Sequence, residues 1–125
     1  MDEGLSLRLD RGPKAAAKAR RSLATLRGEL DAPVLETLRL LVTELVTNSV
    51  RHARADTVLL RVLIGKSAVR TEVTDAGPGF DPPEVGSLSS DRTGWGLFLV
   101  ERLATRWGVD RNGSRTSVWF EVRRA

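Results

Sequence analysis

The chain has 125 residues, 41% of them hydrophobic, with no cysteine and a net charge of +4. That length suits one domain burying about two-thirds of its unfolded surface without a disulfide or metal staple. Without cysteine, a signal segment or an apolar run near the ~20 residues of a membrane span, extracellular and membrane roles drop out and a soluble, cytoplasmic protein is expected.

In chain order, residues 5–9 (LSLRL) alternate apolar and polar and precede a Gly12-Pro13 break, predicting a short strand that leads into a helix. Residues 14–30 are rich in Ala, Arg and Leu, all good helix formers. Asp31 has the character of an N-cap with Pro33 in the first turn of the next helix, which should run to about Ala53. TVLLRVLI (57–64) and VRTEVTD (69–75) are β-rich runs around Gly65-Lys66-Ser67-Ala68, the pattern of a hairpin.

Residues 76–93 hold three Gly and three Pro and keep no period, so they predict a lid or binding loop. A third helix is expected from about Trp95 to Thr105, with Leu97, Val100 and Ala104 on one side, and then a last strand pair around Gly113. Hairpin strands with segregated helices predict an α+β fold: a two-layer α/β sandwich, its sheet mixed but mostly antiparallel, with about three helices on one face. One domain, 1–125, accommodates all of this.

The charge does not form a basic arm: residues 1–60 carry 10 basic and 8 acidic side chains, and residues 61–125 carry the same numbers. Direct nucleic-acid binding is therefore not expected, although a basic nucleic-acid-binding domain with strongly salt-dependent affinity remains an alternative.

LVTELVTNSVRHA (41–53) puts polar groups in an unusual place. At 100° per residue, Leu38, Leu41, Val42, Leu45, Val46, Ser49 and Ala53 form the apolar arc, while Glu44, Asn48 and Arg51 share a flank bordering it. One reading is a solvated helix edge. The other starts from asparagine being a poor mid-helix residue, whose presence at a core border suggests a specific partner. On that reading Asn48 offers its carbonyl oxygen to a hard cation such as Mg²⁺, and Glu44, one turn away, accepts a proton. His52 reads as a packing or hydrogen-bonding residue.

Two glycine clusters complete the pattern. In Asp75-Ala76-Gly77-Pro78-Gly79-Phe80 the glycines permit close approach of a ligand, and the strand-end aspartate can accept a hydrogen bond from an exocyclic amine; a tight Pro-Gly turn is the plainer reading. Thr93-Gly94-Trp95-Gly96-Leu97 opens the third helix, whose amides suit phosphate. Neither cluster is a P-loop or a dinucleotide fingerprint.

Taken together, these boxes resemble the GHKL (Bergerat-fold) ATPases, and among them the short bacterial anti-sigma-factor serine/threonine kinases. The resemblance covers nearly the whole chain. It implies that ELVTN (44–48) is the N box, with Asn48 binding Mg²⁺ and Glu44 the general base on a substrate serine. It implies that DAGPG (75–79) is the first glycine box, Asp75 reading the adenine amino group of ATP and Gly77 and Gly79 shaping the pocket. DRTGWG (91–96) would end the lid, with Arg92 near the terminal phosphate and Gly94 and Gly96 under the phosphates.

Where the family has Gly-Thr in the last hairpin, this sequence has Arg115-Thr116, leaving Thr116 to support the adenine. Arg20 resembles a partner-contact position. The implied partners are a sigma factor and an anti-anti-sigma protein of STAS type, and family precedent allows a homodimer through the sheet edge or the first helix. Histidine-kinase domains share the fold, but the Glu44–Asn48 spacing with Arg20 favours the serine-kinase branch. The alternative within the same resemblance is a regulatory module that binds ATP and sequesters a protein without transferring phosphate.

Overall fold

The computed structural model describes residues 1–52, 56–75, 94–113 and 115–124. In chain order its elements are β1 (Asp2–Asp10), α1 (Ala15–Ser22) followed by a 3₁₀ turn at Leu23–Leu26, α2 (Ala32–His52), β2 (Thr57–Ile64), β3 (Ala68–Asp75), α3 (Gly94–Leu103), β4 (Arg106–Asn112) and β5 (Arg115–Arg123). The five strands form one sheet in the order β1-β2-β3-β5-β4. All four described pairings are antiparallel, so the expected two-layer α+β sandwich is present without the mixed character anticipated for its sheet. The β2–β3 and β4–β5 connections are hairpins, and the second folds β5 back between β3 and the edge strand β4.

The single helix expected over residues 14–30 is shorter. After Ser22 the chain tightens into the 3₁₀ turn, where local side-chain bonds compete with the α-helical ladder: Ser22 Oγ donates to the Lys18 carbonyl (2.9 Å) and Thr25 Oγ1 to the Ser22 carbonyl (2.8 Å). The core spacing survives the change, because Ala15, Ala19, Leu23, Leu26 and Leu30 are all buried.

Asp31 caps α2 as its position predicts, its Oδ1 accepting the Val34 N–H at 3.2 Å. Leu38, Leu41, Val42, Leu45, Val46 and Ser49 form the buried stripe of that helix, while Glu44 and Asn48 are half-buried on its flank. Ala53, the expected end of the stripe, lies outside the described residues.

Period-two alternation divides the sheet into two faces. Register places Leu7–Leu60–Val73–Val118–Val109 and Leu5–Val62–Thr71–Phe120–Trp107 in rows across all five strands, on the face covered by the helices. Except for Val109 and Thr71, these residues and the α1, α2 and Val100 side chains make one contiguous core. The opposite face is held by charge: Arg70 pairs with Glu72 (3.0 Å) and Glu121 (3.5 Å), Arg106 with Glu121 (2.9 Å), and the Arg70 guanidinium lies 4.2 Å from the centroid of the Trp119 ring. No described helix is long and apolar enough to cross a membrane.

Candidate functional site

One row of the inner face differs from the others. At the ends of the strands, register aligns Leu9, Val58, Asp75, Thr116 and Arg111. Asp75 and Thr116 are thus direct partners across β3 and β5, 41 positions apart in the sequence, and each is only 2% exposed. They belong with Ser49 of α2 and Thr71 of β3 to the small set of buried polar residues.

The chemistry of Asp75 follows from this burial. Removing a carboxylate from water disfavours its charged form, and burial raises the Asp75 pKa from 3.8 to about 6. A hydrogen bond from the Ser49 side chain and the positive charge of Arg11 oppose that rise. Asp75 Oδ1 is buried and has no hydrogen-bond partner. Such a group costs free energy unless something pairs with it, and a donor arriving from a ligand is one way to satisfy it.

α2 contributes the other side. Ser49, on the apolar stripe, turns its hydroxyl to Asp75, while Glu44 and Asn48 stand one turn apart on the neighbouring flank. Glu44 makes no hydrogen bond or ion pair with the described residues. Thr43 and Thr47 of the same stretch return their hydroxyls to the helix backbone, to the carbonyls of Arg39 (2.6 Å) and Thr43 (2.7 Å).

α3 begins at Gly94, so Gly94 and Gly96 lie in its first turn. Gly77, Gly79 and Arg92 lie outside the described residues, as does the whole stretch 76–93 expected to act as a lid.

The substitution of Arg115 for the family's glycine falls where it does not disturb Thr116. Adjacent strand residues point to opposite faces. Thr116 is buried beside Asp75, whereas exposed Arg115 lines a groove of the outer face with Asp110, Ser117 and Glu72. Arg20 is exposed on α1, directly after the fully buried Ala19, as a surface contact residue must be.

Two residues near Asp75 were not assigned a site role from the sequence. Ser49 read only as part of the apolar stripe, although a serine among leucines and valines is itself a signal. Arg11 gave no signal, because it reaches the site from the turn after β1. Its Nε donates to the Val50 carbonyl at 3.0 Å, and its backbone N–H donates to the Asp56 carbonyl at 2.8 Å.

The profile of the histidine kinase-like ATPase domain matches residues 9–122. Serine-protein kinase RsbW of Listeria monocytogenes serotype 4a is 30% identical over 120 residues, covering 82% of this chain and 76% of the relative. An uncharacterized protein of Streptomyces coelicolor, SCO4941, is 36% identical over 84 residues, covering 64% of this chain and 79% of its own length. Among solved structures, the RsbU and RsbW domains of Rv1364c from Mycobacterium tuberculosis superpose with a TM-score of 0.72 at 21% identity, over 96% of this chain. This chain spans 32% of that larger one, so the likeness is one of fold.

Proposed function

This chain belongs to the histidine kinase-like ATPase domain family, and from that premise we propose that it is an ATP-dependent serine/threonine protein kinase acting as an anti-sigma factor. It phosphorylates a serine of an anti-anti-sigma partner of STAS type and releases its sigma factor when the partners exchange. The similarity to serine-protein kinase RsbW supports the kinase branch of the family. The observation that carries the nucleotide part is the Asp75 carboxylate: buried, with an unpaired Oδ1, and set beside Thr116 and Ser49 at the strand ends. An orphaned acceptor in such a place fits the exocyclic amine of adenine.

In this reading Asp75 accepts from the adenine amino group and Thr116 supports the base. Asn48 would hold Mg²⁺ through its carbonyl oxygen, a hard ligand for a hard cation. Gly77 and Gly79 shape the pocket, residues 76–93 cover it, and Arg92 with the amides at Gly94 and Gly96 balances phosphate charge. When bound, Mg-ATP would supply the phosphoryl group and the ion that shields it. Positioning and charge neutralisation are most of what phosphoryl transfer asks of a protein. Glu44 takes the proton of the substrate serine hydroxyl as that oxygen becomes a nucleophile. Exposed Arg20 offers a contact for the protein partner.

A titration with Mg-ATP and an assay with labelled ATP and candidate anti-anti-sigma proteins test this together. Glu44→Ala should keep nucleotide binding and lose phosphotransfer by ~100-fold or more, the scale expected for a general base. Asn48→Ala should lose the Mg-dependent part of binding. Wild-type turnover in Glu44→Ala would refute the base assignment. Nucleotide binding without any phosphoserine would leave a regulatory module in place of a kinase.

A further inference from the structure

Arg11 is exposed and lies outside all three sequence boxes, yet it joins the elements that meet at Asp75. Its Nε holds the carbonyl of Val50, the residue after Ser49, in the last turns of α2. Its backbone N–H holds the carbonyl of Asp56 just before β2. β2 in turn places Val58 directly beside Asp75. The side chain therefore ties the turn after β1 to the helix that presents Ser49, next to the strand ends that present the carboxylate.

We propose that Arg11 is a positioning residue for the adenine acceptor: its guanidinium pins the end of α2 and keeps a positive charge beside the Asp75 carboxylate. This rests on the reading of Asp75 as that acceptor. An ionised carboxylate accepts a hydrogen bond more strongly than a neutral acid, so a nearby cation that favours ionisation strengthens recognition of the base. Among the described residues, several groups surround or approach Asp75. α2 offers the Ser49 hydroxyl, β5 offers Thr116, β4 carries Arg111 one strand beyond, Asp56 precedes β2, and Arg11 comes from the turn after β1. Of these, Ser49 and Arg11 are the two that draw the carboxyl down against the effect of burial.

The test uses the full chain as wild type, Arg11→Lys and Arg11→Gln, each checked for folding by circular dichroism. The Asp75 carboxyl carbon is titrated by ¹³C NMR without nucleotide, and Mg-ATP affinity is measured across the same pH range. In Arg11→Gln the Asp75 midpoint should rise from about 6. A rise of about one pH unit would weaken Mg-ATP binding about twofold at pH 7 and about fivefold at pH 6, from the change in ionised fraction.

Arg11→Lys, which keeps the charge, should hold the midpoint near the wild-type value. An unmoved midpoint in Arg11→Gln overturns the proposal, even if affinity falls equally at every pH, because a merely structural role would act in that way. If wild type itself takes up no Mg-ATP, the nucleotide reading fails, and the carboxyl titration still decides whether Arg11 acts on Asp75.

Discussion

Asp75 is destabilising as it stands in the protein without ligand. Its native pKa of about 6 lies above the ordinary 3.8, so between those values the folded state holds a proton that the unfolded state has released. Stability therefore falls as pH rises through that window, by about 3 kcal/mol in total, and the deficit is complete above pH 6. Asp75→Asn should remove the deficit: at pH 7 the variant gains about 2–3 kcal/mol in urea unfolding without nucleotide, while near pH 4 it matches wild type. Parallel pH–stability curves for the two proteins would contradict this.

Thr71 is a second buried polar residue with an unpaired oxygen, between Val62 and Phe120 in the core. It has no place in the nucleotide reading. Thr71→Val keeps the shape and removes the orphaned hydroxyl, so it should stabilise by about 1 kcal/mol, measurable as a rise in Tm.

At the scale of elements, α2 does two things with one surface. Its apolar stripe packs on the sheet and brings Ser49 to Asp75, and the half-buried Glu44 and Asn48 stand on the flank beside that stripe. Much of this was readable in advance: the cap at Asp31, the stripe, the half-buried flank and the β2–β3 hairpin stand where the residue pattern predicts. The break after Ser22 was not, because Ala, Arg and Leu favour a helix while the 3₁₀ turn depends on hydroxyl-to-backbone bonds that propensity does not encode.

The β4–β5 hairpin rests on two glycines of different use. Gly113 has φ +63°, the left-handed conformation that favours glycine in a tight turn. Gly108 lies opposite Trp119, and a Cβ there would come within 2.8 Å of the indole Nε1. The ring crosses the strand where no side chain stands, and the Arg70 guanidinium lies 4.2 Å from its centroid. Gly108→Ala should displace the ring and cost about 1–2 kcal/mol despite the better strand propensity of alanine. The loss should appear in the urea midpoint with an altered near-UV signal, and a neutral or stabilised variant would show that the contact gives way freely.

For the whole molecule, the sheet order matters most, because placing β5 between β3 and β4 sets Thr116 against Asp75. If that pair closes an adenine site, nucleotide binding and folding are linked. Mg-ATP at about 100 times its Kd should stabilise wild type by about 2.7 kcal/mol, whereas Asp75→Asn should gain little, as read by thermal shift. Equal gains would mean that the nucleotide binds elsewhere.

The fold class was legible in the sequence itself, since periodicity and caps are local properties that a chain carries with it, and the family was legible there as a resemblance. Only the tertiary structure decided that Asp75 loses its water beside Ser49, that the charge of Arg11 opposes a part of that effect, and that Arg115 turns to the opposite face of the sheet from Thr116. Burial, charge proximity and the facing of a strand residue depend on which distant segments pack together.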